Sequence, residues 1–311
     1  MRIAVVGVGA VGGFFGGRLA AAGEDVLFVA RGATLEALRR DGLRVRSIDG
    51  DFELSSVEAT DGRDSRGAAD CVLVSVKAWQ VPEAAPMVAR LLAPEGFVVP
   101  LGNGVEAPEQ LAAVVGEGRV LGGLCRIVAK RVAPAEIEHF GVTPSIVFGE
   151  LDDRPSERVA QLAAALRRAA IEVTVPPSTR AAIWEKFLFI AATSGVGAVA
   201  GVAAGAVRSC PETRRLLEQA MHEIRSLAQA QQIPVRADAV ERALAFYDGL
   251  AAEVTSSMQR DLMEGRPSEL EAQTGAVVRC GETLRVPTPV NGFLYAALKP
   301  RELAARRAAS V

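Results

Sequence analysis

At 311 residues the chain has room for about two domains, and with 50% hydrophobic residues, 23% charged residues and a formal net charge of -2 it reads as a soluble globular protein. The charge balance excludes the surplus of Lys and Arg that would draw nucleic acid or an anionic membrane surface. Four isolated cysteines, Cys71, Cys125, Cys210 and Cys280, fit neither a zinc site nor a disulfide framework, which points to a reducing, cytoplasmic setting.

The chain opens on "RIAVVGV" (2–8), an apolar run with the character of a buried strand. One positive charge followed by apolar residues resembles a signal peptide, but glycines interrupt the run too early. They are Gly7-Val8-Gly9-Ala10-Val11-Gly12, a GxGxxG between strand and helix. In that setting Gly7 permits a tight turn, Gly9 lets the backbone approach a pyrophosphate and Gly12 lets helix and strand pack closely. The helix start at Ala10, Val11 and Gly12 presents free N–H groups and a positive dipole end to phosphate. A second strand, "DVLFVA" (25–30), ends at Arg31. A carboxylate at this place holds the ribose hydroxyl of NAD, whereas a guanidinium grips a 2′-phosphate, so Arg31 selects NADP(H).

Further strands are expected at 70–76, 96–101 and 144–150, with helical patterns between the earlier ones, which together give a parallel, doubly wound sheet. A helix capped by Ser156 follows over 156–170, then a short strand stopped by Pro176 and Pro177. Beyond them the pattern is helical, notably over 210–233 and 236–254, so the expected domains are 1–178, a Rossmann-like α/β unit, and 179–311, an all-α unit. Residues 187–207 are 21 uncharged positions, long enough to cross a membrane. Their Ala and Gly content and the lack of an aromatic belt make them a core segment instead. His139 and His222 have no companions at metal-ligand spacing, no metal is expected, and Trp79 and Trp184 read as packing residues.

The GxGxxG, Arg31, "VKAWQV" (76–81), "LGNGVE" (101–106), "WEKF" (184–187) and "SSMQRDLMEGRPSELE" (256–271) resemble, in that order, the landmarks of the ketopantoate reductase family. The resemblance implies an NADP-binding Rossmann domain followed by a helical domain like that of 6-phosphogluconate dehydrogenase. It also implies NADPH-dependent reduction of a small-molecule 2-oxo acid, nominally ketopantoate in pantothenate biosynthesis. Matched residue by residue, the family's general acid falls on Lys186 and its glutamate on Glu269. The substrate serine falls on Ser257, the lysine after the third strand on Lys77 and the loop amide on Asn103. Each type suits its role. An ammonium stabilises and protonates the oxyanion that hydride addition creates. A hydroxyl such as Ser257 or a cation such as Lys77 can hold the substrate carboxylate, and Asn103 can orient nicotinamide or substrate. Glu269 can hold Lys186 or bind a substrate hydroxyl.

Two substrate-facing asparagines of the family are here Ile190 and Ser194. Isoleucine cannot hydrogen-bond and serine reaches less far, so the pocket should be more apolar and its selection altered. Two alternatives follow, a paralogue acting on a different 2-oxo acid or ketone, and a non-catalytic NADP(H)-binding regulatory protein. Retention of Lys186 and Glu269 argues against the second. The sequence does not fix the oligomeric state, and a homodimer is one assembly open to it.

Overall fold

The computed structural model describes residues 1–63, 65 and 67–309. The chain divides into two compact units, Met1–Gly102 with Ala107–Thr179, and Asn103–Glu106 with Arg180–Val311. In chain order the first unit begins β1 (Arg2–Val6), α1 (Ala10–Ala21), β2 (Asp25–Val29), α2 (Gly32–Asp41), β3 (Leu43–Ser47), β4 (Phe52–Leu54), β5 (Glu58–Thr60) and β6 (Ala69–Val74). It continues α3 (Val81–Leu91), β7 (Leu92–Pro100), α4 (Ala107–Val115), β8 (Gly122–Arg126), β9 (Ala129–Ala133), β10 (Glu136–His139), β11 (Ser145–Gly149), α5 (Glu157–Arg168) and β12 (Glu172–Thr174).

β1, β2, β5, β6 and β7 form a parallel sheet in the order β5-β2-β1-β6-β7, the doubly wound order that reverses direction between β1 and β6. Alternate residues of each strand go to opposite cores, as the two-residue period of a strand requires. Ile3, Val5, Phe28 and Leu73 pack with Phe14, Phe15 and Leu19 of α1 and with Leu162 and Leu166 of α5. On the other face Ala4, Val6, Leu27, Val72 and Val74 pack with Val81, Ala85 and Val88 of α3 and Leu111 of α4.

The expected strand at 144–150 exists but lies outside this sheet. As β11 it pairs antiparallel with β8 and parallel with β12 in a separate three-stranded sheet. A further sheet, β4-β3-β10-β9, was not foreseen. Its presence explains the glycines of α1, which is covered on two sides. A Cβ on Gly16 would lie 2.8 Å from the Phe28 ring, toward the parallel sheet, and one on Gly13 or Gly17 would lie 2.8 Å from Ile137 or Leu43, toward the extra sheet. His139 is structural: its ring is buried beside Phe14, with Ser47 Oγ 2.8 Å from Nδ1 and the Val142 carbonyl 2.9 Å from Nε2. Ser156 caps α5, its Oγ accepting from the Val159 N–H at 3.3 Å.

The second unit contains α6 (Thr179–Ala200), α7 (Ala204–Ser209), α8 (Pro211–Ala230), α9 (Ala239–Asp248), α10 (Ser257–Met263), α11 (Thr274–Leu284) and α12 (Pro289–Ala309), with no strand among its described residues. The long apolar run thus becomes α6, a break and α7. By length and composition α6 could cross a membrane, yet 67% of its most apolar window is buried inside the protein. Trp184, Phe187, Leu188, Ala191 and Val196 form a core with Leu217, Met221 and Ile224 of α8. The small residues of α6 serve close approach: a Cβ on Gly195 would lie 3.1 Å from Leu294 of α12, and one on Gly197 would lie 2.7 Å from the Gln259 side chain.

Candidate active site

In the first unit β1 leads into the glycine turn at the point where the sheet order reverses. The Gly7 N–H donates to the Val29 carbonyl of β2 at 3.1 Å, and the Ser75 N–H after β6 donates to the Val6 carbonyl at 2.8 Å. Gly7 has φ +94°, and a Cβ on it would lie 2.7 Å from Val76 Cγ1 and 2.9 Å from Val76 N. Neither the conformation nor the space admits a side chain. A Cβ on Gly12 would lie 2.1 Å from the Gly7 carbonyl oxygen, so this glycine is required for helix and turn to meet. A Cβ on Gly9 would meet nothing within 4 Å, so the backbone there is open to a ligand. Gly9 caps α1 without a side-chain hydrogen bond, and the N–H groups of Ala10, Val11 and Gly12 in the first turn have no intrahelical acceptor. The buried Ser75 hydroxyl beside Gly12 has no partner in the structure. These residues fit the diphosphate of a dinucleotide.

Arg31 follows β2 and stands at the start of α2 with its side chain exposed, donating to Glu83 Oε1 at 2.8 Å. It lines a cleft of about 420 Å³ together with Thr34 and Arg131. Arg131, on β9, donates through Nη1 to Thr34 Oγ1 at 3.0 Å. No sequence motif marks Arg131; only the pairing of β9 with β10, and of β10 with β3, brings its strand into this unit's second sheet. Lys77 is exposed, its N–H donating to Gln80 Oε1 at 3.2 Å and its ammonium 5.8 Å from the Trp79 ring centre.

The second unit gathers the remaining candidates. Lys186 and Ile190 are half-buried, one turn apart on α6. Ser194, the second position at which the family carries asparagine, is fully buried, and its hydroxyl makes no hydrogen bond in the structure. Its deeper burial follows from helix phase, since eight residues turn the side-chain direction about 80° away from that of Lys186. Ser257 is half-buried in the first turn of α10, which Ser256 caps by accepting from the Gln259 N–H at 3.1 Å. Trp184 is a core residue, edge-on to Phe187.

Asn103 and Glu269, 166 positions apart, meet directly, the Asn103 Nδ2 donating to Glu269 Oε2 at 2.9 Å. Glu269 is buried, only 4% exposed. Within this unit the segment Asn103–Glu106 is held at two further places. Gly104, at φ +101°, lies so close that a Cβ would be 2.8 Å from the Ala272 carbonyl oxygen. Arg279 donates from Nη2 to both carboxylate oxygens of Glu106, at 2.8 and 2.9 Å, and to the Glu271 carbonyl at 2.8 Å. The Glu271 side chain in turn accepts from Tyr295, at 3.0 Å, and from Lys299. Burial opposes ionisation of Glu271, but the hydrogen bonds from Lys299 and Tyr295 outweigh it and hold the carboxyl below its ordinary range. Sequence reasoning missed this Glu106–Arg279–Glu271 fastening, since nothing in the local pattern links residues so far apart.

The chain matches the family model described as ketopantoate reductase PanE/ApbA over residues 3–153 and its C-terminal counterpart over residues 178–302. The chain belongs to the ketopantoate reductase family. A 2-dehydropantoate 2-reductase of Halobacterium salinarum is 32% identical over 93% of this chain and 95% of its own. YkpB of Bacillus subtilis, described as an uncharacterized oxidoreductase, is 29% identical over 97% and 99% respectively. The crystal structure of a 2-dehydropantoate 2-reductase from Geobacter metallireducens superposes with a TM-score of 0.89 at 30% identity, covering 96% of this chain and 99% of that one. As a ketopantoate reductase family member the chain is a 2-dehydropantoate 2-reductase-like oxidoreductase acting on CH–OH donors, and its cofactor is NADP(H).

Proposed function

We propose that the chain reduces a 2-oxo acid to the 2-hydroxy acid with NADPH, nominally 2-dehydropantoate to pantoate in pantothenate biosynthesis, with Lys186 as the proton donor. The observation that carries this reading is the buried Glu269 carboxylate held by the Asn103 amide at 2.9 Å, on the unit whose longest helix presents a half-buried Lys186. A carboxylate so enclosed is costly unless it is paired and used.

When bound, the cofactor supplies a hydride to the carbonyl carbon. The electron pair of the C=O π bond moves to oxygen, and the Lys186 ammonium stabilises that charge and gives up a proton to it. The neutral amine then recovers a proton from solvent. Only the NH₂ group of Asn103 can donate to a carboxylate, so its carbonyl oxygen is the acceptor left to orient nicotinamide or substrate. Glu269, fixed by Asn103, is suited to hold the ammonium or to accept from a substrate hydroxyl. Ser257 and Lys77 are the candidate partners of the substrate carboxylate or cofactor. Gly7, Gly9, Ala10, Val11 and Gly12 would hold the diphosphate and Arg31 the 2′-phosphate.

Ile190 supports a second reading of the substrate. A half-buried isoleucine one turn from Lys186, where the family carries asparagine, favours a 2-oxo acid with a more apolar side chain. Following NADPH oxidation against a panel of 2-oxo acids decides between them. A kcat/KM of about 10⁴ M⁻¹s⁻¹ or better on 2-dehydropantoate supports the first. A value far below that, beside efficient turnover of an apolar 2-oxo acid, supports the second, and no turnover of any member would sink both.

A further inference from the structure

We infer that Arg131 is a second determinant of dinucleotide choice, binding the 2′-phosphate of NADP(H) together with Arg31; this rests on the reading of Arg31 as the 2′-phosphate residue. The cleft at the C-terminal end of β2 is lined by two guanidinium side chains, Arg31 and Arg131, and by Thr34, with no carboxylate among its lining residues. The carboxylate that pairs with Arg31, Glu83, stands outside that lining. Glu83 already pairs with Arg31, so an anion in the cleft would share that guanidinium with Glu83 and take its second cationic contact from Arg131. A phosphomonoester carries close to two negative charges and three terminal oxygens, more acceptors than one guanidinium fork can satisfy.

Location supports the same ligand. The cleft begins where β2 ends, the place at which doubly wound folds read the ribose 2′ position, and α2, ten residues long, starts there. Arg131 comes from the other sheet, yet its guanidinium is tethered at the start of α2 by the 3.0 Å bond to Thr34. A tethered fork loses less side-chain entropy on binding than a free one. The chain therefore grips the phosphate from two elements, with Arg31 on the strand end and Arg131 on the hairpin strand β9.

Titration calorimetry of the full chain with adenosine 2′,5′-bisphosphate and with AMP isolates the 2′-phosphate contribution as the ratio of the two affinities. Arg131→Ala should lower that ratio about tenfold, the scale of one charge-assisted contact. Arg131→Gln, which removes the charge while keeping a polar side chain on the same stem, should lower it similarly. A role confined to packing beside the cleft would leave the Gln variant at the wild-type ratio. Arg31→Ala is the control. If the ratio collapses in Arg31→Ala but stays at the wild-type value in the Arg131 variants, the assignment of Arg131 is overturned and that of Arg31 stands. If it is unchanged in all three, both are overturned. Should Arg131→Ala fail to fold, Arg131→Gln carries the test with the same criterion.

Discussion

The Asn103–Glu269 pair joins a loop to a helix connection, and removing the carboxylate takes an acceptor from the Asn103 amide. Glu269→Ala should cost about 1–3 kcal/mol, because the half-buried Asn103 amide then loses this charged acceptor. Glu269→Gln, which keeps an acceptor oxygen, should recover most of the loss; urea unfolding of both variants checks this, and equal destabilisation would count against the pairing. Ile190→Asn tests the selection argument. An amide that pairs with a substrate hydroxyl raises preference for 2-dehydropantoate over an apolar 2-oxo acid, by tenfold or more in the ratio of kcat/KM values, and an unmoved ratio would remove Ile190 from the pocket. Asn103 and Glu269, which the structure pairs, both lie in motifs legible in the sequence, as do the proposed site residues Lys186 and Ser257. The burial of Ser194 was not legible, because a spacing of four repeated twice drifts off one helix face. Arg131 was hidden for a different reason, since its neighbours are set by strand pairing across long loops.

At the scale of elements, α1 shows the glycine motif doing two separable things. A Cβ on Gly12 would press on the rigid Gly7 carbonyl at 2.1 Å, so Gly12→Ala should destabilise by about 1–3 kcal/mol despite alanine's better helix propensity. At Gly9 the added methyl meets no protein atom within 4 Å, so Gly9→Ala should hold its urea midpoint while NADPH binding weakens. Loss of stability in Gly9→Ala, or unchanged NADPH affinity, would contradict this account of the turn. The parallel strands were readable because each buries both faces, leaving continuous apolar runs such as "RIAVV". The extra sheet was overlooked because β3, β9 and β10 are short and rich in charge. Its signal was alternation: Leu43 and Val45 are buried on either side of exposed Arg44, and Ile137 and His139 alternate with half-buried Glu136 and Glu138. The same alternation in β11, with Ile146 and Phe148 buried, marks a strand covered mainly on one face, at odds with a place inside the parallel sheet.

Across the whole molecule, the change from alternating to purely helical patterning near residue 176 was visible in the sequence, whereas the transfer of Asn103–Glu106 to the helical unit was not. The links that go with it span long stretches of sequence, 166 positions from Asn103 to Glu269 and 173 from Glu106 to Arg279. Each unit carries a carboxylate whose ionisation supports the fold. In the first, burial raises Glu150, but hydrogen bonds from Arg158 and Ser156 more than offset it and leave the carboxyl below its ordinary value; in the second, Glu271 is lowered likewise. A depressed folded-state value contributes stability above the unfolded-state value that is lost as pH falls through the folded one. Urea midpoints should therefore decline on acidification below about pH 5, less steeply in Glu150→Gln and Glu271→Gln than in the wild type, and parallel acid limbs would refute the assignment. The most direct test of the proposed chemistry is Lys186→Ala, with kcat on the best 2-oxo acid measured beside the NADPH dissociation constant. The account predicts that kcat falls about 10²–10⁴-fold while the dissociation constant changes little. Turnover at the wild-type rate would contradict it.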